Sequence, residues 1–218
     1  MNRYDTVIFD LDGTLLNTLE DLTDSVNYSL KLNGFPERTL NEVRSFIGNS
    51  DTRLMELAIP GGLGNSSFEK CLTDYRSHYA TNLQNKTKPY ENVETLLINL
   101  KENGFRLAIV SNKRDPSVKE LNSRWFKPYI PVALGVSDEI PKKPDPTLLN
   151  NALNELQSKQ EKTIFVGDSE VDVRTAANAG IQFIGVTWGF RDTEILKQAG
   201  ADILINKPEE LTNYLIIL

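Results

Sequence analysis

The first chemistry in this chain is a pair of carboxylates two residues apart at the end of an apolar run. Asp10 and Asp12 follow Val7, Ile8 and Phe9 and stand just before Gly13. In an extended strand, side chains at i and i+2 point to the same side. Like charges held there invite a cation or a shared proton. An Asp-Gly pair flanked by apolar residues is also a hairpin-turn signal, and the residues that follow decide between the two readings. No second strand comes after Gly13. Instead Thr18, Glu20 and Asp21 form a capping arrangement that predicts a helix carrying Leu22, Val26, Leu30 and Leu32, ended by Asn33 and Gly34. The pattern therefore favours a buried parallel strand that delivers Asp10 and Asp12 to its carboxyl end.

The elements that position other chemical groups follow the same logic. After Pro89, short apolar runs at residues 107–110, 132–134, 163–166, 183–186 and 203–205 alternate with helical periodicities. Such alternation predicts an α/β fold with a doubly wound parallel sheet. Between the first strand and Pro89 the spacing predicts only helices. One carries Val43, Phe46 and Ile47, one carries Leu54, Leu57 and Ala58, and one over 66–83 carries Phe68, Cys71, Leu72, Tyr75 and Tyr79. The glycines at 61, 62 and 64 lack the Lys-Ser/Thr ending of a P-loop and read as a connection. The expected organisation is an α/β core from residues 1–17 and 87–218, with an all-helical cap domain over 18–86 inserted after the first strand.

Ligands of an open α/β sheet bind beyond the carboxyl ends of its strands. Those ends collect Asp10 and Asp12, then Ser111 and Asn112, then Lys143 before Pro144, then Asp168 to Asp172. So many carboxylates call for a cation, and magnesium held by one or two carboxylates plus phosphate and water suits them. Ser111, ahead of a helical turn, suits phosphate oxygens. Asp168 and Asp172, four residues apart, share a helix face. Each has a plainer reading alone: Ser111 and Asp168 as helix N-caps, Lys143 as a solvated charge, Asp172 as a helix-face charge. Their convergence on one sheet edge favours a site.

Composition narrows the classes. The formal charge of −6, the pI near 5.0 and the lack of a basic stripe argue against a nucleic-acid partner. No apolar run is long enough for a bilayer, and the N-terminal residues lead straight into a strand with no signal-peptide pattern. One cysteine excludes an internal disulfide and fits a reducing cytoplasm. Cys71 lies on an apolar stripe and reads as a core thiol, whereas His78 lies off its centre and reads as partly exposed. One cysteine and one histidine leave no zinc cluster and little basis for a histidine-dependent hydrolase.

Asp10-Leu11-Asp12-Gly13-Thr14, the strand ending in Ser111-Asn112, Lys143-Pro144, and Gly167-Asp168-Ser169 with Asp172 together resemble the four motifs of the haloacid dehalogenase-like superfamily. The resemblance spans essentially the whole chain and is nearest to its phosphoglycolate phosphatase-type members. It implies a Rossmann-like core with a helical cap and phosphoryl transfer with Mg2+. Asp10 is then the nucleophile that forms an aspartyl-phosphate, and Asp12 the acid and base. The metal ligands implied are the Asp10 carboxylate, the Asp12 main-chain carbonyl and Asp168. Ser111 and the Asn112 amide would hold phosphoryl oxygens, Lys143 would balance charge, and Asp172 and Thr14 would orient the cluster from behind. Family dehalogenases lack the second aspartate, so Asp12 points to phosphate rather than carbon chemistry. In the cap, Phe46 to Ser50, with Gly48 and Asn49, resembles the family's substrate-facing loop, and Arg44 and Arg53 flank it. Two positions depart from the pattern: Asn17 replaces a common aspartate, and Arg114 a common proline. The expected substrate is a small phosphorylated metabolite, with 2-phosphoglycolate as the candidate, and the expected assembly a monomer or homodimer. A phosphomutase of the β-phosphoglucomutase type and a pyrophosphatase are alternatives within the family. A non-catalytic phosphate sensor or partner-binding protein is the alternative outside enzymes.

Overall fold

The computed structural model describes residues 3–216. The chain divides into two compact units, Met1–Leu16 with Pro89–Leu218, and Asn17–Lys88. The first is built on six parallel strands: β1 (Thr6–Phe9), β4 (Arg106–Arg114), β5 (Val132–Val136), β6 (Thr163–Gly167), β7 (Gln182–Val186) and β8 (Leu204–Ile205). Their order in the sheet is β5-β4-β1-β6-β7-β8. Strand β1 pairs with β4 on one side and β6 on the other, with Phe9 opposite both Ile109 and Val166. The chain thus winds outward from β1 in both directions, and the order reverses beside Asp10, where this architecture opens a ligand crevice.

Helices α5 (Val93–Glu102), α6 (Asp115–Trp125), α7 (Thr147–Leu156), α8 (Glu170–Ala179), α9 (Thr193–Ala199) and α10 (Pro208–Ile216) alternate with these strands. Every residue of β1 is buried, as a central strand covered on both faces requires. Ile8, Ala108, Val110 and Phe165 from the strands pack with Leu148, Leu149, Ala152 and Leu153 of α7 and Val173 and Ala176 of α8. Fully burying each large aliphatic side chain there stabilises the fold by about 1.5–3 kcal/mol.

The second unit is helical: α1 (Leu19–Leu32), α2 (Leu40–Phe46), α3 (Asp51–Ala58) and α4 (Phe68–Asn82), with a short 3-10 turn at Gly62–Gly64. The two points where the chain passes between units, β2 (Leu16–Asn17) and β3 (Lys88–Pro89), pair as a two-stranded ribbon. Phe68, Cys71, Leu72, Tyr75 and Tyr79 are buried along α4 as their spacing requires. Ser29 on α1 donates to Cys71 O at 2.7 Å. His78 is half-buried, stacked on Tyr28, with Nδ1 3.0 Å from Ser25 Oγ.

Two expectations change here. Leu32 is 56% exposed, because it lies at the last position of α1, away from the stripe of Leu22, Val26 and Leu30. Thr18 makes no side-chain cap on α1. Asp21, which sequence spacing places in that cap, is buried, and its carboxylate accepts from the amides of Lys86 and Thr87 and from Thr87 Oγ1. A long-range set of donors has outcompeted the local one. The reciprocal capping box forms instead at Thr39 and Glu42, opening α2. Among the described residues, no helix is long and apolar enough to cross a membrane.

Candidate active site

Asp10 is the first residue beyond β1, its amide still donating to Val166 O at 2.8 Å. The chain then folds back on itself: the amides of Leu15 and Leu16 both donate to Leu11 O at 3.0 Å. Gly13 makes this loop possible in two ways. Its φ is +84°, and a Cβ there would run into the Asp168 carboxylate.

Strand β4 does not stop at Val110. It runs on through Ser111, Asn112 and Lys113 to Arg114, its register with β5 shifting between Val110 and Arg114. Helix α6 begins only at Asp115, so Ser111 neither caps nor directly precedes a helix, contrary to the sequence expectation. Side-chain bonds hold this polar extension in place. Asn112 Nδ2 donates to Lys143 O at 3.1 Å, and Lys143 N donates to Asn112 Oδ1 at 2.7 Å. Ser111 is buried, its Oγ accepting from the Lys113 amide at 3.2 Å.

Lys143 is 2% exposed, which removes the solvated-charge reading. Its Nζ lies 2.7 Å from Asp10 Oδ1 and 2.7 Å from Asp172 Oδ1, and donates to Val110 O at 3.2 Å. Asp172 uses its other oxygen to accept from Ser169 N and Ser169 Oγ, while Ser169 Oγ accepts from Asp172 N. Ser169, not Asp168, is therefore the N-cap of α8. Asp168 Oδ2 accepts from the Phe190 amide at 2.6 Å, and Thr14 Oγ1 stands 3.4 Å from Oδ1.

Asp10, Asp168 and Asp172 are all buried, and each offers an oxygen within 4.8 Å of the others. The side-chain cluster thus contains Asp172 rather than Asp12, whose carboxylate meets Lys113 Nζ at 3.0 Å. Burial pushes the Asp10 carboxyl up to about 7; Lys143 pulls it down, while Asp172 and Asp12 push it further up. Burial likewise holds Asp168 well above the usual carboxylate range, with the charges of Asp10 and Asp172 adding to it. For Lys143, burial opposes its charge, but the two carboxylates outweigh it and raise the ammonium above the ordinary lysine value. Three buried carboxylates around one ammonium leave uncompensated negative charge. An all-oxygen donor set with excess anionic charge fits a hard divalent ion such as Mg2+.

Sequence spacing did not indicate Lys113, the Asn112 side chain or residues 188–190. The last of these had one visible signal, Gly189 shortly beyond the carboxyl end of β7. Gly48, Asn49 and Arg53 lie in the helical unit. Gly48 has φ +119°, and Asn49 Oδ1 is buried with no hydrogen-bond partner among the described residues. Arg53, half-exposed, pairs with Glu56 at 2.8 Å.

The chain is similar to known proteins over most of its length. Residues 7–186 match the family model of the haloacid dehalogenase-like hydrolases. A phosphoglycolate phosphatase of Aquifex aeolicus is 31% identical over 206 residues, covering 94% of this chain and 93% of its own. Pyrophosphatase PpaX of Halalkalibacterium halodurans is 30% identical over 210 residues, covering 96% and 95%. A crystal structure from Haemophilus somnus, described as a predicted phosphoglycolate phosphatase, superposes with a TM-score of 0.90 at 28% identity, covering 98% and 99%.

Proposed function

The chain belongs to the haloacid dehalogenase-like hydrolases, and from that membership we propose that it is a magnesium-dependent phosphatase acting on a small phosphate monoester through an aspartyl-phosphate. The observation that carries this reading is Asp10 itself: a buried carboxylate at a strand end, ion-paired to Lys143 and crowded by Asp168. Asp10 attacks phosphorus in line, forming its own O–P bond as the ester P–O bond breaks. Asp12 gives a proton to the departing oxygen, then accepts one from the water that cleaves the aspartyl-phosphate. Lys113, 3.0 Å away, holds the Asp12 carboxylate. Ser111 and the Asn112 amide bind phosphoryl oxygens, and Lys143 keeps the charge of Asp10 tolerable in a buried place. Asp10, Asp168 and the Asp12 main-chain carbonyl are the proposed holders of Mg2+, which when bound neutralises charge on the transferring group. Asp172 and Thr14 orient them.

The names of the relatives support 2-phosphoglycolate as substrate. Pyrophosphate is the second reading, because the PpaX relative matches at nearly the same identity over a similar span. Gly48, Asn49 and Arg53 are the proposed selectivity residues, with Arg53 exchanging Glu56 for a substrate carboxylate. The single buried cysteine supports a cytoplasmic location. Phosphate release from a panel of small esters and pyrophosphate, with Mg2+ or EDTA, tests the proposal. Release is expected only with Mg2+ and is lost in Asp10→Asn; equal release by that variant overturns it.

A further inference from the structure

Residues 188–191 follow β7 and take no part in the phosphoryl transfer described above, yet they reach two loops of the site. Trp188 Nε1 donates to Thr14 O at 3.0 Å. The Phe190 amide donates to Asp168 Oδ2 at 2.6 Å. Between them, Gly189 lies so close to the Asp168 side chain and to Gly13 O that a Cβ would overlap both. Arg191 Nε meets Glu170 Oε2 at 2.9 Å, with only 12% of the arginine side chain exposed, which anchors the segment to the first turn of α8.

A short bond from an amide to a carboxylate fixes the plane of that carboxylate, because charge-assisted bonds are strong and directional. The Phe190 amide holds Oδ2 at 2.6 Å and the Thr14 hydroxyl holds Oδ1 more loosely at 3.4 Å, so the carboxylate is oriented from both sides. Trp188 ties the same segment to the loop that carries Asp10 and Asp12. Loop packing alone would need none of this. Here a glycine is demanded by collision with the side chain of the carboxylate itself.

We propose that residues 188–191 are a positioning strap for the cation site, fixing the plane of the Asp168 carboxylate, which would hold Mg2+, and keeping it in register with the Asp10 loop. The proposal rests on the phosphatase reading only in taking Mg2+ as the ion. Groups that orient a metal ligand typically alter affinity by about 10–100-fold.

Calorimetric titration of Mg2+ into the full-length protein, with melting measured separately in EDTA, tests it on Gly189→Ala and Trp188→Phe. Gly189→Ala is expected to weaken Mg2+ binding about tenfold or more and to lower the EDTA melting temperature, because its Cβ overlaps Asp168 and Gly13 O. Trp188→Phe, which loses one hydrogen bond, is expected to weaken binding about threefold with an EDTA melting temperature close to wild type. Binding within about twofold of wild type in both variants overturns the strap. Should Gly189→Ala fail to fold, Trp188→Phe decides on the same criterion. A wild type that does not bind Mg2+ removes the cofactor of the phosphatase and the strap together. Wild-type binding with unaffected variants removes the strap alone.

Discussion

Lys143 is the residue on which the charge balance of the site turns. It is enclosed, it bridges Asp10 and Asp172 at 2.7 Å each, and its main chain is clamped by Asn112. Removing one partner of a buried ion pair costs more than the pair contributes, because the remaining charge stays desolvated. Lys143→Met should therefore destabilise the protein by about 3–5 kcal/mol in urea unfolding. Without the ammonium, which lowers it, the Asp10 carboxyl would rise from about 7, so the variant should also lose phosphatase activity at neutral pH. A loss of less than about 1 kcal/mol would mean that the carboxylates find their compensation elsewhere. Lys113 differs in degree: it meets Asp12 at 3.0 Å, and the Asp12 side chain is more open to solvent than that of Asp10.

Among the elements, Asp21 shows how a tertiary interaction overrides a local signal. The segment Thr18 to Asp21 has the spacing of a helix cap, yet the carboxylate is spent on the Lys86 and Thr87 amides, where the helical unit closes on itself before β3. Asp21→Ala should orphan buried donors there, costing about 3 kcal/mol by urea unfolding and exposing residues 86–88 to limited proteolysis. A change under about 1 kcal/mol with unaltered proteolysis would show that water replaces the carboxylate. The same contrast explains what could be read from sequence. Strand ends carrying Asp10 and Asp168 were legible, since an apolar run that stops at a charged residue reports burial and its limit. The continuation of β4 through Ser111 to Arg114 was not, because its polar residues are held extended by Asn112 bonding to a lysine 31 positions away. Residues 188–190 were nearly silent, since they act through a main-chain amide, an indole N–H and the absence of a Cβ. None of these has a periodicity.

For the molecule as a whole, the crowded carboxylates make stability depend on pH and on metal together. The native-state carboxyls of Asp10 and Asp168 titrate above their unfolded values, near 4, because the fold buries them. Such groups favour the folded state while protonated. Their contribution is full below the unfolded pKa and is lost as pH rises through the folded one, which for Asp10 is about 7. In EDTA, the melting temperature should therefore fall between about pH 4 and pH 7 as this contribution is withdrawn. Mg2+ binds the ionised carboxylates and lowers their native pKa, so it should remove that decline and stabilise the protein more at pH 8 than at pH 5. At about 100 times its dissociation constant the gain approaches about 2.7 kcal/mol. The proposed Mg2+-holding residues Asp10, Asp12 and Asp168 belong to the α/β unit, so hydrogen exchange should slow on Mg2+ binding in β1, β6 and the first turn of α8. A Mg2+ shift in melting temperature that is the same at pH 5 and pH 8 would show that proton release from Asp10 and Asp168 is not linked to binding.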